Sequence, residues 1–186
     1  MTIDPGMALA QLIDLKDVKR AGWARAGLQG AESVADHSFS AALLAMVIAP
    51  GLIGVDRDKL VRLLLVHDLA ESDPSVGDIT PFSGVPAEEK LRRESEAIDR
   101  LCGHLPGGDE VRKLWNEYAD SVTPEACLAH EFDALEMGLQ ARAYQARHGV
   151  DLSEFVASAK AKVRHPGLCI WLDEPAPAVA EPVAGE

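Results

Sequence analysis

Cysteine, aromatic residues and positive charge are all scarce in this chain. The 3 cysteines, Cys102, Cys127 and Cys169, are odd in number and widely spaced, which excludes a disulfide framework and a Cys-x-x-Cys metal clip. Aromatic side chains make up only 5%. Trp115 and Tyr118 sit at helical spacing with no basic strip beside them, so they read as core or subunit interface rather than a base-stacking platform. Lys and Arg number 18 against 30 Asp and Glu, a net charge of −12 with histidines neutral. That excludes a whole-surface attraction to duplex nucleic acid or anionic membrane, and any phosphate must be met locally by a metal or a few arginines. Long apolar runs are missing too: Ala41–Ala49 and Leu60–Val66 are interrupted or too short for the roughly 20 residues that span a bilayer. Residues Met1–Ala10 lack the basic start and apolar centre of a signal peptide. The expectation is a cytoplasmic protein with no membrane and no nucleic acid polymer as partner.

What is present is an ordinary globular balance, 47% hydrophobic against 26% charged over 186 residues, close to the length of one domain. Periodicity is helical nearly throughout, and no stretch alternates as several strands would. The expected fold is all-α, a bundle of about six to seven helices in a single domain over residues 1–172. The first helix runs over Met7–Lys19 and the second over Ser33–Ala49, closed by Pro50-Gly51. Asp56 caps a third over Arg57–Glu71, dense in leucine and expected at the centre. Ser72–Pro86 holds three prolines and two glycines, a loop long enough to suggest function. Helices are then expected over Ala87–Leu105, Asp109–Ala119, Thr123 to about His148 with Pro124 at the first position, and Leu152–Arg164, stopping at Pro166. From Asp173 the chain is Pro, Ala, Val and Glu, and residues 173–186 read as a disordered tail.

Four positions carry chemistry: His37 early in the second helix, the pair His67-Asp68 near the end of the third, and Asp133 in the long helix. Imidazole nitrogen and carboxylate oxygen suit Mn, Fe, Co, Ni or Zn. In Leu-Leu-Leu-Val-His-Asp-Leu-Ala, a charged Asp68 stands in an apolar run and requires a compensating partner. The dipeptide alone is also compatible with a locally capping Asp68 and a satisfied core His67.

Its company is more specific. Lys19-Arg20-Ala21-Gly22-Trp23, Glu32-Ser33-Val34-Ala35-Asp36-His37-Ser38, Leu65-Val66-His67-Asp68-Leu69-Ala70-Glu71, Val76-Gly77-Asp78-Ile79, Glu89-Lys90-Leu91-Arg92-Arg93-Glu94 and Asp133-Ala134-Leu135-Glu136 follow one another in order. This ordered set resembles the HD-domain metal-dependent phosphohydrolases, and within them the 5′-deoxynucleotidases. The resemblance implies an all-helical HD fold holding one divalent metal ion (Mn, Co, Fe, Ni, Zn or Mg) by His37, His67, Asp68 and Asp133. It implies hydrolysis of deoxynucleoside 5′-monophosphates, with Glu71 orienting or deprotonating the attacking water and Asp78 serving proton delivery or water positioning. It also implies that Arg20 contacts the phosphate, that Trp23 packs near the sugar and helps exclude a 2′-hydroxyl, and that the chain is a homodimer. The alternatives are a nucleoside triphosphate, a cyclic nucleotide or another phosphate ester as substrate, and, from another class, a metal- or nucleotide-binding sensor without turnover. One departure stands out: Glu71 and Asp78 are seven residues apart, longer than the family's usual spacing, with Ser72-Asp73-Pro74-Ser75 before Val76. Asp73 is thus a competing candidate for the role of Asp78.

Bland readings cover the rest. His104, His130, His148 and His165 are expected at the surface or at caps, with His130, three residues before Asp133 on the same helical face, able to reach a substrate phosphate or merely solvent. Arg92 and Arg93 read as a solvated face, although one of them or Lys90 could close over the phosphate. Glu32 is expected to help cap the second helix.

Overall fold

The computed structural model describes residues 4–103 and 105–173. Among them are nine α-helices and no strand: α1 (Pro5–Asp14), α2 (Ala21–Arg25), α3 (Val34–Ile48), α4 (Arg57–Val66), α5 (Ala87–Cys102), α6 (Gly108–Asp120), α7 (Pro124–His148), α8 (Ser153–Lys162) and α9 (Pro166–Asp173). Two more helices form than periodicity indicated. The five-residue α2 is too short to show a period. Pro166, expected as a stop, opens α9 instead, because proline's fixed φ suits a first helical turn. Of the expected tail 173–186, Asp173 instead closes α9, where Lys160 Nζ donates to it at 2.7 Å, and residues 174–186, like His104, lie outside the described residues.

Side-chain caps set the helix starts. Ser33 accepts from the Asp36 amide while Asp36 reaches back to the Ser33 amide, closing a capping box that fixes the first turn of α3. Asp56 accepts from the Lys59 amide at α4, and Thr123 accepts from the Ala126 amide at α7, where Pro124 costs no hydrogen bond. At its far end α4 stops earlier than the pattern suggested. Asp68 leaves helical geometry at φ −99°, ψ 13°, and the chain enters a 3₁₀ turn over Leu69–Ser72. The loop after it contains a second 3₁₀ turn, Pro81–Ser83, capped by Thr80.

The long α7, rather than α4, takes the central place, packing against α3, α4, α6, α8 and α9. Its 25 residues are rich in alanine, so several sides can be approached closely. Gly138 shows how closely: a Cβ there would lie 2.6 Å from Ala159 Cβ and 2.8 Å from Leu172 Cδ2. Ala41 and Ala45 of α3, Leu60, Leu63 and Leu64 of α4, and Phe132 and Leu135 of α7 form the main core. Burying such side chains contributes about 1.5–3 kcal/mol each for the larger ones. A second cluster joins α1, α5 and α6 around Ile98, Leu101 and Trp115, and a third gathers Trp23, Tyr144, Leu152 and Phe155.

The stretch Val34–Gly51 is, by length and composition, apolar enough to cross a membrane, with a mean hydropathy of 1.3 over 18 residues. It lies against α4 and α7 through its small side chains. Its outward side carries Phe39, Leu43, Met46 and Val47, all exposed. Before α3, an isolated antiparallel bridge pairs Lys19 with Ser33, and the Val34 amide donates to the Val18 carbonyl at 2.9 Å. That short pairing pins the segment bearing Arg20 beside the start of α3.

Candidate metal centre and substrate cavity

His37, His67, Asp68 and Asp133 come from α3, the end of α4 and α7, and the fold brings all four together. The His37 ring is fully buried, and its Nδ1 lies 2.5 Å from Glu136 Oε2. His67 Nδ1 lies 2.7 Å from the Leu64 carbonyl oxygen. A carbonyl only accepts, so His67 Nδ1 carries a proton, and Nε2 is the ring atom left to ligate. His37 Nε2 is 3.1 Å from Asp133 Oδ1 and 3.9 Å from Asp68 Oδ2, and His67 Nε2 is 3.2 Å from Asp68 Oδ2. Despite these distances, neither Nε2 has hydrogen-bond geometry to any of the described residues.

Ligand atoms of His37, His67 and Asp133 all lie within 4.8 Å of one another. Buried imidazole nitrogens without hydrogen bonds, facing carboxylate oxygens, suit a divalent cation in donor type and spacing. The electrostatics agree. Burial alone would raise the carboxyls of Asp68 and Asp133, yet the two histidines and Arg20 outweigh it and hold both well below the usual range. Burial and Arg20 press the His37 imidazole toward neutrality, yet Asp133 and Glu136 lift it to about 10. Without a cation the carboxylates draw protons onto the imidazoles, and a bound cation would take the place of those protons.

Beside this group lies a cavity of about 360 Å³. Its lining combines the charged Arg20, Asp68, Glu71, Asp78, Lys90 and Asp133 with the apolar Trp23, Phe82, Met137 and Phe155, and Arg25 and Glu154 also border it. Glu71 is 2% exposed, and its Oε2 has no hydrogen-bond partner among the described residues. Burial, then the charges of Asp68 and Asp78, push its carboxyl well above the ordinary value. Asp78 Oδ2 accepts from the Ala21 amide at 2.6 Å, which ties the long loop to the first turn of α2. Arg20 Nη1 stands 3.3 Å from Asp68 Oδ2. Trp23 is buried, donates from Nε1 to Glu32 Oε1 at 2.8 Å, and packs edge-on against Tyr144 and tilted against Phe155.

The structure reassigns several other residues. Asp73 is bound by Arg100 Nη2 at 2.8 Å and by the Ser75 amide at 2.9 Å, and it braces the loop without lining the cavity. Glu32 holds the Trp23 indole, while Ser33 and Asp36 do the capping expected of it. Tyr118 packs against the main core as expected and also reaches the histidine and aspartate group: its hydroxyl is 3.4 Å from Asp133 Oδ2 and its ring centroid 5.2 Å from that of His67. His130 stacks on Tyr118 at 3.9 Å and donates from Nε2 to the Tyr118 carbonyl at 3.0 Å, so it props that ring. Arg92 and Arg93 pair with Glu89 on the surface, whereas Lys90 lines the cavity with Nζ on the Ile79 carbonyl. No local signal marked Tyr118 or Glu32, because their roles arise from how α6 and α2 pack.

An all-helical bundle with a histidine on one helix, a His-Asp pair ending the next and a distant aspartate meeting them defines a class. Residues 12–169 match the HD domain, and the chain belongs to that family. Among relatives, the 5′-deoxynucleotidase HDDC2 of Dictyostelium discoideum is 39% identical over 165 residues, covering 82% of this chain and 86% of that one. The human 5′-deoxynucleotidase HDDC2 is 41% identical over 164 residues, covering 86% and 78% respectively. A solved structure described as a predicted metal-dependent phosphohydrolase from Magnetospirillum magnetotacticum superposes with a TM-score of 0.67 at 26% identity, covering 91% of this chain and 90% of that one.

Proposed function

We propose that this chain is a metal-dependent phosphomonoesterase that hydrolyses deoxynucleoside 5′-monophosphates to deoxynucleoside and phosphate. The observation that carries the reading is the gathering of His37, His67 and Asp133, with Asp68 against both imidazoles, beside a cavity that Glu71 and Arg20 line. The activity named for the relatives at 39% and 41% identity supports it. Residues 1–172 act as one HD domain.

His37, His67, Asp68 and Asp133 would hold one divalent ion. When bound, such an ion supplies Lewis acidity toward a phosphoryl oxygen and makes water a stronger acid. Arg20, drawn into the cavity by carboxylates, contacts the substrate phosphate. With the charges of Asp68 and Asp78 offset by a bound cation, Glu71 would be ionised and would accept a proton from the attacking water, and its buried, partnerless Oε2 is the atom placed to do so. Asp78, anchored on the Ala21 amide, serves proton delivery or water positioning near the leaving 5′-oxygen. Trp23 has its single polar atom committed to Glu32, so its face offers a 2′-hydroxyl no partner. A hydroxyl pressed against it would lose water without compensation, which disfavours ribonucleotides.

The stripe Phe39, Leu43, Met46 and Val47 on α3 supports a homodimer, since four large apolar side chains share one exposed helix face. Three unpaired cysteines, Cys102, Cys127 and Cys169, suit a cytoplasmic location.

The test is phosphate release from deoxy- and ribonucleoside mono- and triphosphates by metal-stripped protein resupplied with Mn²⁺, Co²⁺, Mg²⁺ or Zn²⁺. Metal-dependent release from deoxynucleoside monophosphates is expected. Release only from other phosphates would discard the pocket reading, and no release from any would favour a binding protein without turnover.

A further inference from the structure

His67 and His37 are oriented in different ways. His67 Nδ1 bonds a backbone carbonyl of its own helix, that of Leu64, which any sequence would supply. His37 Nδ1 bonds a side chain 99 residues away, the carboxylate of Glu136. Both partners are buried, with side chains 0% and 4% exposed, so water cannot stand in. Glu136 lies one helical turn beyond Asp133 on α7, and the same helix therefore meets both nitrogens of one imidazole: Asp133 at Nε2 and Glu136 at Nδ1.

A buried carboxylate is costly unless a partner compensates it, and here the partner is the His37 ring. Glu32 reaches the same spot, with its oxygen within 4.8 Å of His37 and Glu136, but it is engaged by the Trp23 indole. The two neighbouring carboxylates thus divide their work. One fixes a cavity wall, and the other fixes a metal-binding ring.

We infer that Glu136 is a positioning residue for His37, holding the imidazole as its Nδ1-protonated tautomer so that the Nε2 lone pair faces the cation. The inference rests on the metal site proposed above. Without Glu136 the ring has two tautomers and a freer χ2, and only one arrangement ligates.

The experiment is calorimetric titration of Mn²⁺ into the full chain and into Glu136→Ala, Glu136→Gln and Glu32→Gln, with metal-free thermal unfolding measured alongside. Glu136→Ala should bind Mn²⁺ about 10- to 100-fold more weakly. Glu136→Gln should recover part of that loss, since its amide oxygen still accepts from Nδ1. Glu32→Gln removes a neighbouring buried charge but leaves the His37 bond, and should bind Mn²⁺ like the unaltered chain. At alkaline pH, where the His37 ring is neutral, metal-free Glu136→Gln should melt no lower than the unaltered chain, separating positioning from plain support of the fold. If Glu136→Ala does not fold, imidazole ¹⁵N spectra of metal-free Glu136→Gln, recorded at alkaline pH where the His37 ring is neutral, decide: His37 should gain Nε2-protonated tautomer. Equal Mn²⁺ affinity in all the Glu136 variants, or an equal loss in Glu32→Gln, would overturn the inference. No Mn²⁺ binding by the unaltered chain would instead sink the metal site itself.

Discussion

Arg20 and Asp68 form an ion pair, Nη1 to Oδ2 at 3.3 Å, that links the cation facing the cavity to one of the four carboxyl and imidazole groups gathered for a metal. With both side chains mostly shielded from water, each charge compensates the other. On the proposed roles, Asp68 would help hold a divalent ion and Arg20 would then be free to meet a phosphate, so that one pair would serve both contacts. Arg20→Ala should raise KM for a deoxynucleoside monophosphate by roughly 10- to 100-fold, the loss of a charged hydrogen bond, while Mn²⁺ still binds. Steady-state kinetics with a parallel Mn²⁺ titration checks both halves.

Asp68→Ala should behave differently, because it removes a ligand rather than a substrate contact. Mn²⁺ binding and phosphate release should both fall below detection, and the uncompensated Arg20 should lower the melting temperature. Retention of metal-dependent activity would remove Asp68 from the ligand set.

Glu71→Gln keeps size and polarity and deletes only the ability to accept a proton. A fall in kcat of about 10²- to 10⁴-fold is expected, with Mn²⁺ affinity little changed. Near-normal turnover would move the base role elsewhere.

Asp73→Ala distinguishes the two aspartates of the long loop. Asp73 is tied to Arg100 and Ser75 and lies off the cavity lining, so its loss should cost stability of about 1–2 kcal/mol. That corresponds to a drop of roughly 2–8 °C in melting temperature for a chain of this size. The value of kcat should hold, whereas Asp78→Ala should lower it.

Glu32 gives a pH signature. Burial, then the charge of Glu136, raise its carboxyl from 4.5 to about 7. A group that binds its proton more tightly when folded stabilises the fold below its unfolded value, and that contribution is lost as pH rises. The unaltered chain should therefore lose stability relative to Glu32→Gln between about pH 4.5 and 7, and the difference should flatten above 7. Denaturant midpoints of both proteins across pH 4 to 8 test the sign.

Much of this was legible in the sequence because it is written locally. Ser33 with Asp36, Asp56, and Thr123-Pro124 announce α3, α4 and α7 through groups a few residues apart. The ordered motifs named the histidines and aspartates that the fold gathers, since each sits in a short string of recognisable neighbours. Local strings do not carry the rest. Pro166 as stop or start depends on whether Leu168 and Leu172 find a core, and they do, against α7. Tyr118 looks like any helical tyrosine until α6 is laid on α7 and its hydroxyl meets Asp133. Glu136 sat inside a quoted motif with no role, because its partner lies 99 residues back.

The placement of Asp133 and Glu136 one turn apart on α7 also bears on how the chain can change length. A single residue inserted just ahead of Asp133 would swing both carboxylates by about 100°, turning them off His37 while dragging Gly138 from its contact with Ala159 and Leu172. The stretch between Ser72 and Pro86, held at Asp73, Asp78, Ile79 and Phe82, can lengthen by bulging into solvent between those points. Tags, inserted reporters and engineered elongations therefore belong in that loop, and the long helix admits substitutions but no change of count.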